Sequence, residues 1–444
     1  MSASANNAEL DRTACAVADA AHAAHASATA GDIVCAANIA ENPYKRDFPL
    51  LANHPDLVFL DSAATAQRPA AVLDAQRRFY EEMNANALRG LYRLSVEATE
   101  AIEIARQRVA KFIGAPDAHD IVLTRNASES LNIVAKAFAP TVLKPGDEVC
   151  ITIMEHHSNL IPWQQACRAA GAKLVYLYPD ENGVITPEEM DAKIGPKTKI
   201  LSVVHVSNVL GVQNPVEELG RRVHEQGGYL VVDGAQSTPH IHVDVQAIGA
   251  DFFAFSAHKL FGPFGMGVLW GRDELLNAMP PFLTGGEMIE SVTREGAVYA
   301  ELPYKFEAGT GNAAGAVGLH AAIDYVNSIG FDTMHGCETA VSAFAFEKLI
   351  AMPHVHVLGA ARAEDHNGIL TFTLDDVHPH DVGEILAADG IAVRAGHHCA
   401  QPLLAHLGYR STVRASFAFY NTIDDAEKFI DSLSTVRERM GYGK

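Results

Sequence analysis

Short apolar runs alternate with longer amphipathic segments from residue 58 to about residue 275, and this alternation restricts the possible folds more than any other feature. The runs are rich in valine and isoleucine, and they lie at 121–123, 149–154, 200–206, 229–232 and 252–255. Strands that alternate with helices in this way predict a mostly parallel sheet covered by helices on both faces. The predicted fold class is therefore α/β.

A different pattern after about residue 310 predicts a second, smaller domain. A helix-rich stretch leads to a strand-like run at 368–374, and a His-rich turn and two helix–strand units follow. We therefore expect a large domain at 58–310. The small α+β domain would combine 43–57 with 311–444.

Residues 1–42 are rich in alanine but interrupted by polar and acidic residues, so we expect a low-complexity, disordered leader. The segment lacks the basic start and apolar block of a secretory signal, and its acidic residues argue against a transit peptide. No run in the sequence approaches the ~18 apolar residues that span a bilayer. The expected compartment is the cytoplasm.

Charge and cysteine content exclude further classes. The formal net charge is -20 at pH 7 and no basic block is present, which argues against nucleic-acid partners and against binding to an anionic membrane. The 6 cysteines include no C-x-x-C pair, so the sequence indicates neither a disulfide framework nor a structural zinc site. We expect no bound metal.

Polar clusters follow the apolar runs at the points where the predicted strands end. They lie at 125–128, 155–157, 207–208, 233–236 and 256–259. Ligands bind beyond the carboxyl ends of the strands in an open parallel sheet. The clusters therefore predict a single binding site.

Asp233 and Lys259 end two consecutive predicted strands, and the gap between them suits one crossover connection. A lysine that forms a Schiff base and an aspartate that pairs with the pyridinium nitrogen are the groups that pyridoxal 5'-phosphate (PLP) most needs. Taken alone, such a pair is more often a plain ion pair. The neighbouring motifs favour the PLP interpretation.

Three polar residues are candidates for holding the phosphate. Ser128 opens a helical segment whose free N–H groups and dipole favour an anion, although a serine there is more often only an N-cap. Ser256 and His258 flank Lys259 and offer a hydroxyl and an imidazole to the same phosphate.

His156 is a candidate for a different role, because its imidazole can stack on the cofactor ring and move protons.

A second candidate centre is the sequence RAGHHCA at 394–400. His397, His398 and Cys399 suggest zinc, but no nearby segment supplies the remaining ligands at a familiar spacing. The alternative is a nucleophilic Cys399 on an exposed loop, where the neighbouring arginine and histidines favour the thiolate. Arg414 follows in a predicted strand, and its guanidinium fork suits an amino-acid carboxylate.

At these residues the chain resembles the SUF-type (group II) cysteine desulfurases of the class V aminotransferase superfamily. The resemblance covers about residues 43–440 and implies PLP fold type I, with a seven-stranded large-domain sheet, the catalytic cysteine in the small domain, and a homodimer. The matching motifs are LDSAA (60–64), MEHH (154–157), HVSNVLG (205–211), VDGAQ (232–236), HKLFGP (258–263), FEAGT (306–310) and RAGHHCA (394–400).

The resemblance also implies a role for each residue around the cofactor ring. It assigns the Schiff base to Lys259, the pyridinium partner to Asp233 and the stacked ring to His156. Gln236 and Asn208 would contact the phenolic oxygen or the substrate.

For the phosphate, the resemblance implies Ser128, Ser256, His258 and, from the other subunit, Thr310. Many relatives carry threonine where this chain has Ala127, which leaves only a backbone N–H for the cofactor at that position.

For catalysis, the resemblance implies that Arg414 and Arg394 bind L-cysteine and that Cys399 takes its sulfur as a persulfide, releasing L-alanine. An acceptor protein would then remove the sulfur, with iron–sulfur cluster assembly as the destination. Leu88 stands where the family often has a histidine, which changes contacts at the entrance.

Three alternatives remain open from the sequence. A selenocysteine lyase of the same superfamily shares most of these residues. A class V aminotransferase would use Lys259 and Asp233 without needing Cys399, and a non-enzymatic scaffold would need none of them.

Overall fold

The computed structural model describes residues 42–443. The predicted leader, 1–42, lies outside this range except for its last residue. Asn42 is buried, and its Nδ2 donates to the carbonyl oxygens of Phe419 and Asn421 at 2.5 and 3.1 Å. The body of the protein therefore includes Asn42, which the predicted leader boundary had excluded.

The described residues form fifteen strands and fifteen α-helices, joined by short 3-10 and π turns. The strands are β1 Val58–Phe59, β2 Ile121–Thr124, β3 Glu148–Thr152, β4 Lys173–Leu177, β5 Thr198–Val204, β6 Tyr229–Asp233, β7 Phe252–Ser256, β8 Gly267–Gly271, β9 Ile289–Val292, β10 Ala297–Tyr299, β11 Val355–Leu358, β12 Ile369–Leu374, β13 Ile391–Ala392, β14 Arg394–Gly396 and β15 Thr412–Ser416. The helices are α1 Pro49–Asn53, α2 Ala70–Arg78, α3 Arg93–Phe112, α4 Ala127–Ile133, α5 Ala139–Val142, α6 Ile161–Ala170, α7 Pro187–Lys193, α8 Val216–Glu225, α9 Ser237–His240, α10 Asp273–Ala278, α11 Ala313–Ile329, α12 Phe331–Ala351, α13 Pro379–Ala388, α14 Gln401–His406 and α15 Ile423–Arg439.

The large domain contains a seven-stranded sheet in the order β2-β8-β7-β6-β5-β3-β4. Only β8 runs against its neighbours, β2 and β7, so the prediction of a mostly parallel seven-stranded sheet is confirmed. Successive residues of β6 and β7 enter different hydrophobic clusters, with Val232 and Phe253 on one face and Val231 and Phe252 on the other. Burial on both faces explains why these strands are continuously apolar in sequence.

The small domain contains an antiparallel sheet in the order β11-β12-β15-β14. Its inner face packs on α12, α13 and α15, with Phe372, Leu386 and Phe429 in the shared core. Strand β1 pairs in parallel with β13, and Val58 belongs to this small-domain core. The sequence predicts 58–59 in the large domain instead. A strand this short does not specify its pairing partner.

The helix α11 packs along α2 and α3, and its Leu319 and Ile323 join the large-domain core. Phe48 and Leu51, at the start of the described chain, join the same core. The helix α11 therefore packs on the large domain, although the sequence predicts it in the small one. Phe48 lies between the two domains, against the rings of Phe261 and Phe419. An apolar helix face indicates burial without indicating which domain buries it.

Within residues 42–443, no helix is long and apolar enough to cross a membrane.

Candidate active site

Asp233 and Lys259 lie at the ends of neighbouring parallel strands, at the same edge of the sheet. Asp233 ends β6, and Lys259 lies in the 3-10 turn directly after β7. The Asp233 carboxylate accepts a hydrogen bond from the Ala235 N–H at 3.0 Å. Burial lowers the pKa of Lys259 to about 8, although the charge of Asp233 opposes this shift. The amine is therefore far easier to deprotonate than a free lysine.

The imidazole of His156 is neutral and carries its proton on Nε2. Its Nδ1 accepts a hydrogen bond at 3.1 Å from the backbone N–H of Ser158, which can only donate. Burial lowers the pKa of His156 to about 3, and the positive charge of Lys259 acts in the same direction. An uncharged aromatic ring of this kind is suited to stacking on the PLP ring.

The helix α4 presents its N-terminus to the same crevice. Asn126 is the N-cap and accepts from the Glu129 N–H at 3.0 Å, so the helix begins at Ala127, ahead of the predicted Ser128. The Ala127 N–H already donates to Ser256 Oγ at 2.8 Å, so it would have to exchange this bond to reach a phosphate. The Ser256 hydroxyl proton and the first-turn position of Ser128 fit a phosphate without such an exchange.

Arg414, on β15, is 1% exposed, and two of its guanidinium nitrogens donate hydrogen bonds to protein oxygens. Its Nη1 donates to the Asn208 carbonyl at 2.8 Å and its Nη2 to Asp61 Oδ1 at 3.2 Å. Its Nε has no hydrogen-bond partner in the described part of the chain. This free donor is suited to a substrate carboxylate, and Asp61 holds the guanidinium in place for it.

The catalytic-loop candidate Cys399 follows β14, and its side chain is partly exposed. Its Sγ lies 3.8 Å from Arg394 Nη2. His398 and Cys399 both have left-handed backbones, with φ of 51° and 57°, and this conformation costs about 1–2 kcal/mol per residue. His398 offsets the cost, because its Nε2 lies 2.9 Å from Thr412 Oγ1 and its carbonyl accepts from Asn208 Nδ2 at 2.8 Å.

Several buried polar atoms around this crevice have no hydrogen-bond partner among residues 42–443. They are His205 Nδ1, Asn208 Oδ1, Gln236 Oε1, His258 Nδ1 and Arg414 Nε. Buried polar atoms are nearly always paired in folded proteins, so this concentration indicates a polar ligand. With Asp233 for the ring nitrogen, Lys259 for the aldehyde and the α4 N-terminus for the phosphate, the residues fit PLP.

Sequence reasoning missed the roles of Asp61 and Glu155, although both lie in the quoted motifs. Asp61 braces Arg414, and Glu155 is buried directly before His156. Thr310 is exposed, and no hydrogen bond that the structure describes joins it to the site of its own chain. The role of Asp61 depends on its contact with Arg414, which lies 353 positions away in sequence.

The other described cysteines, Cys150, Cys167 and Cys337, are buried and free. Burial raises the pKa of Cys150 to about 12 and that of Cys167 to about 11, which keeps both as inert thiols. Cys399 is the only one of these four that is partly exposed. No group of three or more His, Cys, Asp or Glu in the described range is arranged to hold a metal ion.

The fold and the site define the class of PLP enzymes of fold type I. Residues 58–429 match the family model "Aminotransferase class-V". A probable cysteine desulfurase of Streptomyces coelicolor is 47% identical over 405 residues, covering 89% of this chain and 97% of that protein. The cysteine desulfurase of Haloferax volcanii is 44% identical over 410 residues, covering 89% and 96%.

Solved structures of cysteine desulfurases are also similar to this chain. The apo structure of a cysteine desulfurase from Thermococcus onnurineus NA1 has a TM-score of 0.86 and 40% identity, covering 90% of this chain and 99% of that one. The cysteine desulfurase CsdA of Escherichia coli has a TM-score of 0.83 and 38% identity, covering 89% and 98%. The chain belongs to the aminotransferase class-V family, together with these cysteine desulfurases.

The lowered pKa of Lys259 predicts the pH dependence of PLP uptake by the apoenzyme. Only the unprotonated amine attacks an aldehyde, so the rate should rise with pH up to about 8 and then level off. Stopped-flow absorbance between pH 6 and 10 measures this rate. In Asp233→Asn the midpoint should move to lower pH, because the Asp233 charge raises the Lys259 pKa. A rate that keeps rising to pH 10 would contradict the assignment.

Proposed function

We propose that this chain is a PLP-dependent cysteine desulfurase that converts L-cysteine to L-alanine and stores the sulfur as a persulfide on Cys399. The observation that carries the proposal is the meeting of two chemistries at one crevice. Lys259 and Asp233 form a PLP site at the strand ends, and Cys399 lies on an anchored loop whose neighbours, Asn208 and Arg414, also face that site.

Each residue has a distinct role in this proposal. Lys259 Nζ would hold PLP covalently, Asp233 would pair with the ring nitrogen and His156 would stack on the ring. Bound PLP supplies an electron sink conjugated to the substrate α-carbon. Arg414, through its free Nε, binds the substrate carboxylate and fixes the α-carbon near Lys259. Lys259 Nζ, released when substrate binds, accepts the α-proton.

Cys399 performs the sulfur transfer. Its thiolate attacks the substrate sulfur, so an S–S bond forms while the substrate Cβ–S bond breaks and the carbon fragment keeps the electron pair. Protonation of this fragment yields alanine, and Cys399 keeps the persulfide. Arg394 Nη2 lies 3.8 Å from this sulfur.

The persulfide implies a protein partner, because sulfur bound to a cysteine leaves by attack of another thiol. We infer an acceptor protein that passes the sulfur on to iron–sulfur cluster assembly. The partly exposed Cys399 is accessible to such a thiol. The four cysteines that the structure describes are all free, which agrees with the reducing cytoplasm as the place of action.

The direct test is product analysis. Purified enzyme loaded with PLP should release equal amounts of alanine and sulfide from L-cysteine in the presence of a reducing thiol. Selenide release from selenocysteine, measured in parallel, tests the alternative that the enzyme is a selenocysteine lyase. Absence of alanine formation from L-cysteine would refute the proposed function.

We propose that the active protein is a homodimer in which Thr310 reaches the PLP phosphate of the partner. Two features support this: Thr310 is exposed, and large apolar side chains are exposed near it in sequence, including Leu283, Val292 and Val298. Exposed apolar groups of this size are typical of a surface that is covered by another chain.

Mixed dimers of Lys259→Ala and Thr310→Ala chains test the shared site. If Thr310 acts across the interface, each mixed dimer has one intact site, and statistical mixing restores roughly a quarter of the wild-type activity. Alanine formation by the mixture is compared with that of each mutant alone. No gain over the separate mutants would show that each chain builds its own site.

A further inference from the structure

Glu155 has a buried side chain that is surrounded by hydrogen-bond donors. Its Oε1 accepts from Thr152 Oγ1 at 2.7 Å and from the Val204 N–H at 3.0 Å, and its Oε2 accepts from Asn159 Nδ2 at 2.6 Å. The residue is 1% exposed. Burial raises the pKa of Glu155, whereas each of these donors acts in the opposite direction and favours the carboxylate.

The direction of this network is fixed by groups that cannot reverse. The Trp163 indole can only donate, and it does so to Asn159 Oδ1 at 2.9 Å. Ser202 Oγ donates to the same oxygen at 2.6 Å. Asn159 therefore has to present its Nδ2 to Glu155, and the backbone N–H of Val204 can only donate as well. Position 155 thus requires a side chain with acceptors on both terminal atoms.

Glu155 also compensates for the end of a strand. The ladder between β3 and β5 ends at the pair Ile151 and Ser202, whereas β5 continues to Val204. Oε1 of Glu155 accepts from the Val204 N–H, which no longer has a β3 carbonyl beside it. On the other side of β5, Val204 pairs in register with Asp233.

The residues 155–159, which we call the anchored turn, contact three parts of the active site. The turn carries the His156 ring. The His157 N–H donates to the Cys399 carbonyl at 2.8 Å, and Ser158 Oγ lies 2.5 Å from Ser128 Oγ on α4. The chain enters a 3-10 turn at His157, whose ring lies 5.7 Å from the His397 ring.

We propose that Glu155 is a positioning residue: its two-sided acceptor fixes the anchored turn, and thereby sets His156, the Cys399 loop and the phosphate-binding end of α4 relative to one another. The inference rests on the proposed function for the roles of His156 and Cys399. It adds a physical link between cofactor chemistry and sulfur transfer, which both depend on one buried carboxyl group.

Glu155→Gln tests this link, because the amide places an N–H₂ where only donors face it. We expect kcat for cysteine desulfuration to fall about 100-fold, with a much smaller change in KM, since Arg414 is untouched. Glu338→Gln is the matched control. Glu338 is also buried, at 4% exposed, and it bonds His240 at 2.8 Å between α9 and α12, outside the crevice. A similar loss of Tm in both variants, with kcat reduced only in Glu155→Gln, is the expected result.

Two further readouts separate positioning from general destabilisation. Deuterium exchange at the α-carbon of L-alanine reports on the cofactor side alone, and mass-spectrometric detection of the Cys399 persulfide reports on the sulfur side. Glu155→Gln should slow both, because both centres depend on the anchored turn. In the apoenzyme, the His157 amide should exchange with solvent faster in Glu155→Gln than in Glu338→Gln, because its bond to Cys399 is loosened.

Equal kcat in Glu155→Gln and Glu338→Gln would overturn the inference, as would slowing of only one centre. An inactive wild type would instead refute the proposed function. If Glu155→Gln does not fold, Thr152→Val and Thr152→Ser replace it. Thr152→Val, which loses the hydroxyl donor, should reduce kcat about tenfold, while Thr152→Ser keeps the wild-type rate. Equal rates in this pair would also overturn the inference.

Discussion

Lys259→Ala should reduce the turnover of L-cysteine by at least about 10³-fold and abolish the covalent attachment of PLP. The other side chains that we place at the crevice, namely Asp233, His156, Arg414 and Cys399, contain no amine that could replace Nζ. The mutant also loses the base for the α-proton, so the loss should affect kcat rather than only KM.

PLP should still bind to Lys259→Ala without a covalent link, through Asp233 and the phosphate site at α4. Absorbance spectra before and after dialysis distinguish the two binding modes. Lys305→Ala is the matched control, because burial lowers the pKa of Lys305 as well, and its Nζ donates to the Asn277 carbonyl away from the strand ends. Near-wild-type turnover in Lys259→Ala would disprove the assignment.

The position of the site was predictable from local sequence patterns alone. Polar residues end the apolar runs, and in the structure β3, β5, β6 and β7 are parallel neighbours whose ends meet at one edge. Strand β2 is antiparallel to β8, which is antiparallel to β7, so the end of β2 also points to this edge. In a parallel sheet, the polar residues that follow separate strands in sequence come together at one edge of the sheet.

Pairings between distant segments were not predictable in this way. Arg414 and Asp61 are 353 positions apart, yet they form one ion pair in the site. The contact between the His157 N–H and the Cys399 carbonyl joins the two domains. Nothing in the local composition around these residues identifies their partners, because tertiary packing alone brings the distant segments together.

The start of α4 was predictable, although the sequence predicts it at Ser128 and the helix begins at Ala127. Asn126 is a strong N-cap residue, and Glu129 follows it at the third helical position. Ala127 therefore opens the helix, and its N–H faces Ser256. Because Ala127 has no side-chain hydroxyl, its contribution at this position is the backbone N–H that bonds Ser256 Oγ.

Cys399→Ala should separate cofactor chemistry from sulfur transfer. The proposed PLP contacts lie on Lys259, Asp233 and α4, so the mutant should keep its visible absorption and still bind L-cysteine through Arg414. It loses the nucleophile for the substrate sulfur, and desulfuration should fall by at least about 10³-fold. Selenocysteine should be affected less, because selenium leaves more readily and depends less on thiolate attack.

Cys150→Ala is the matched control for this prediction. Cys150 is fully buried in β3, and burial raises the pKa of its thiol to about 12, so it cannot replace a solvent-accessible thiolate. This variant should desulfurate cysteine at close to the wild-type rate. After treatment of the wild type with L-cysteine, mass spectrometry should find one added sulfur on the peptide that contains Cys399. An added sulfur on Cys150, Cys167 or Cys337 instead, or normal desulfuration by Cys399→Ala, would place the sulfur chemistry elsewhere.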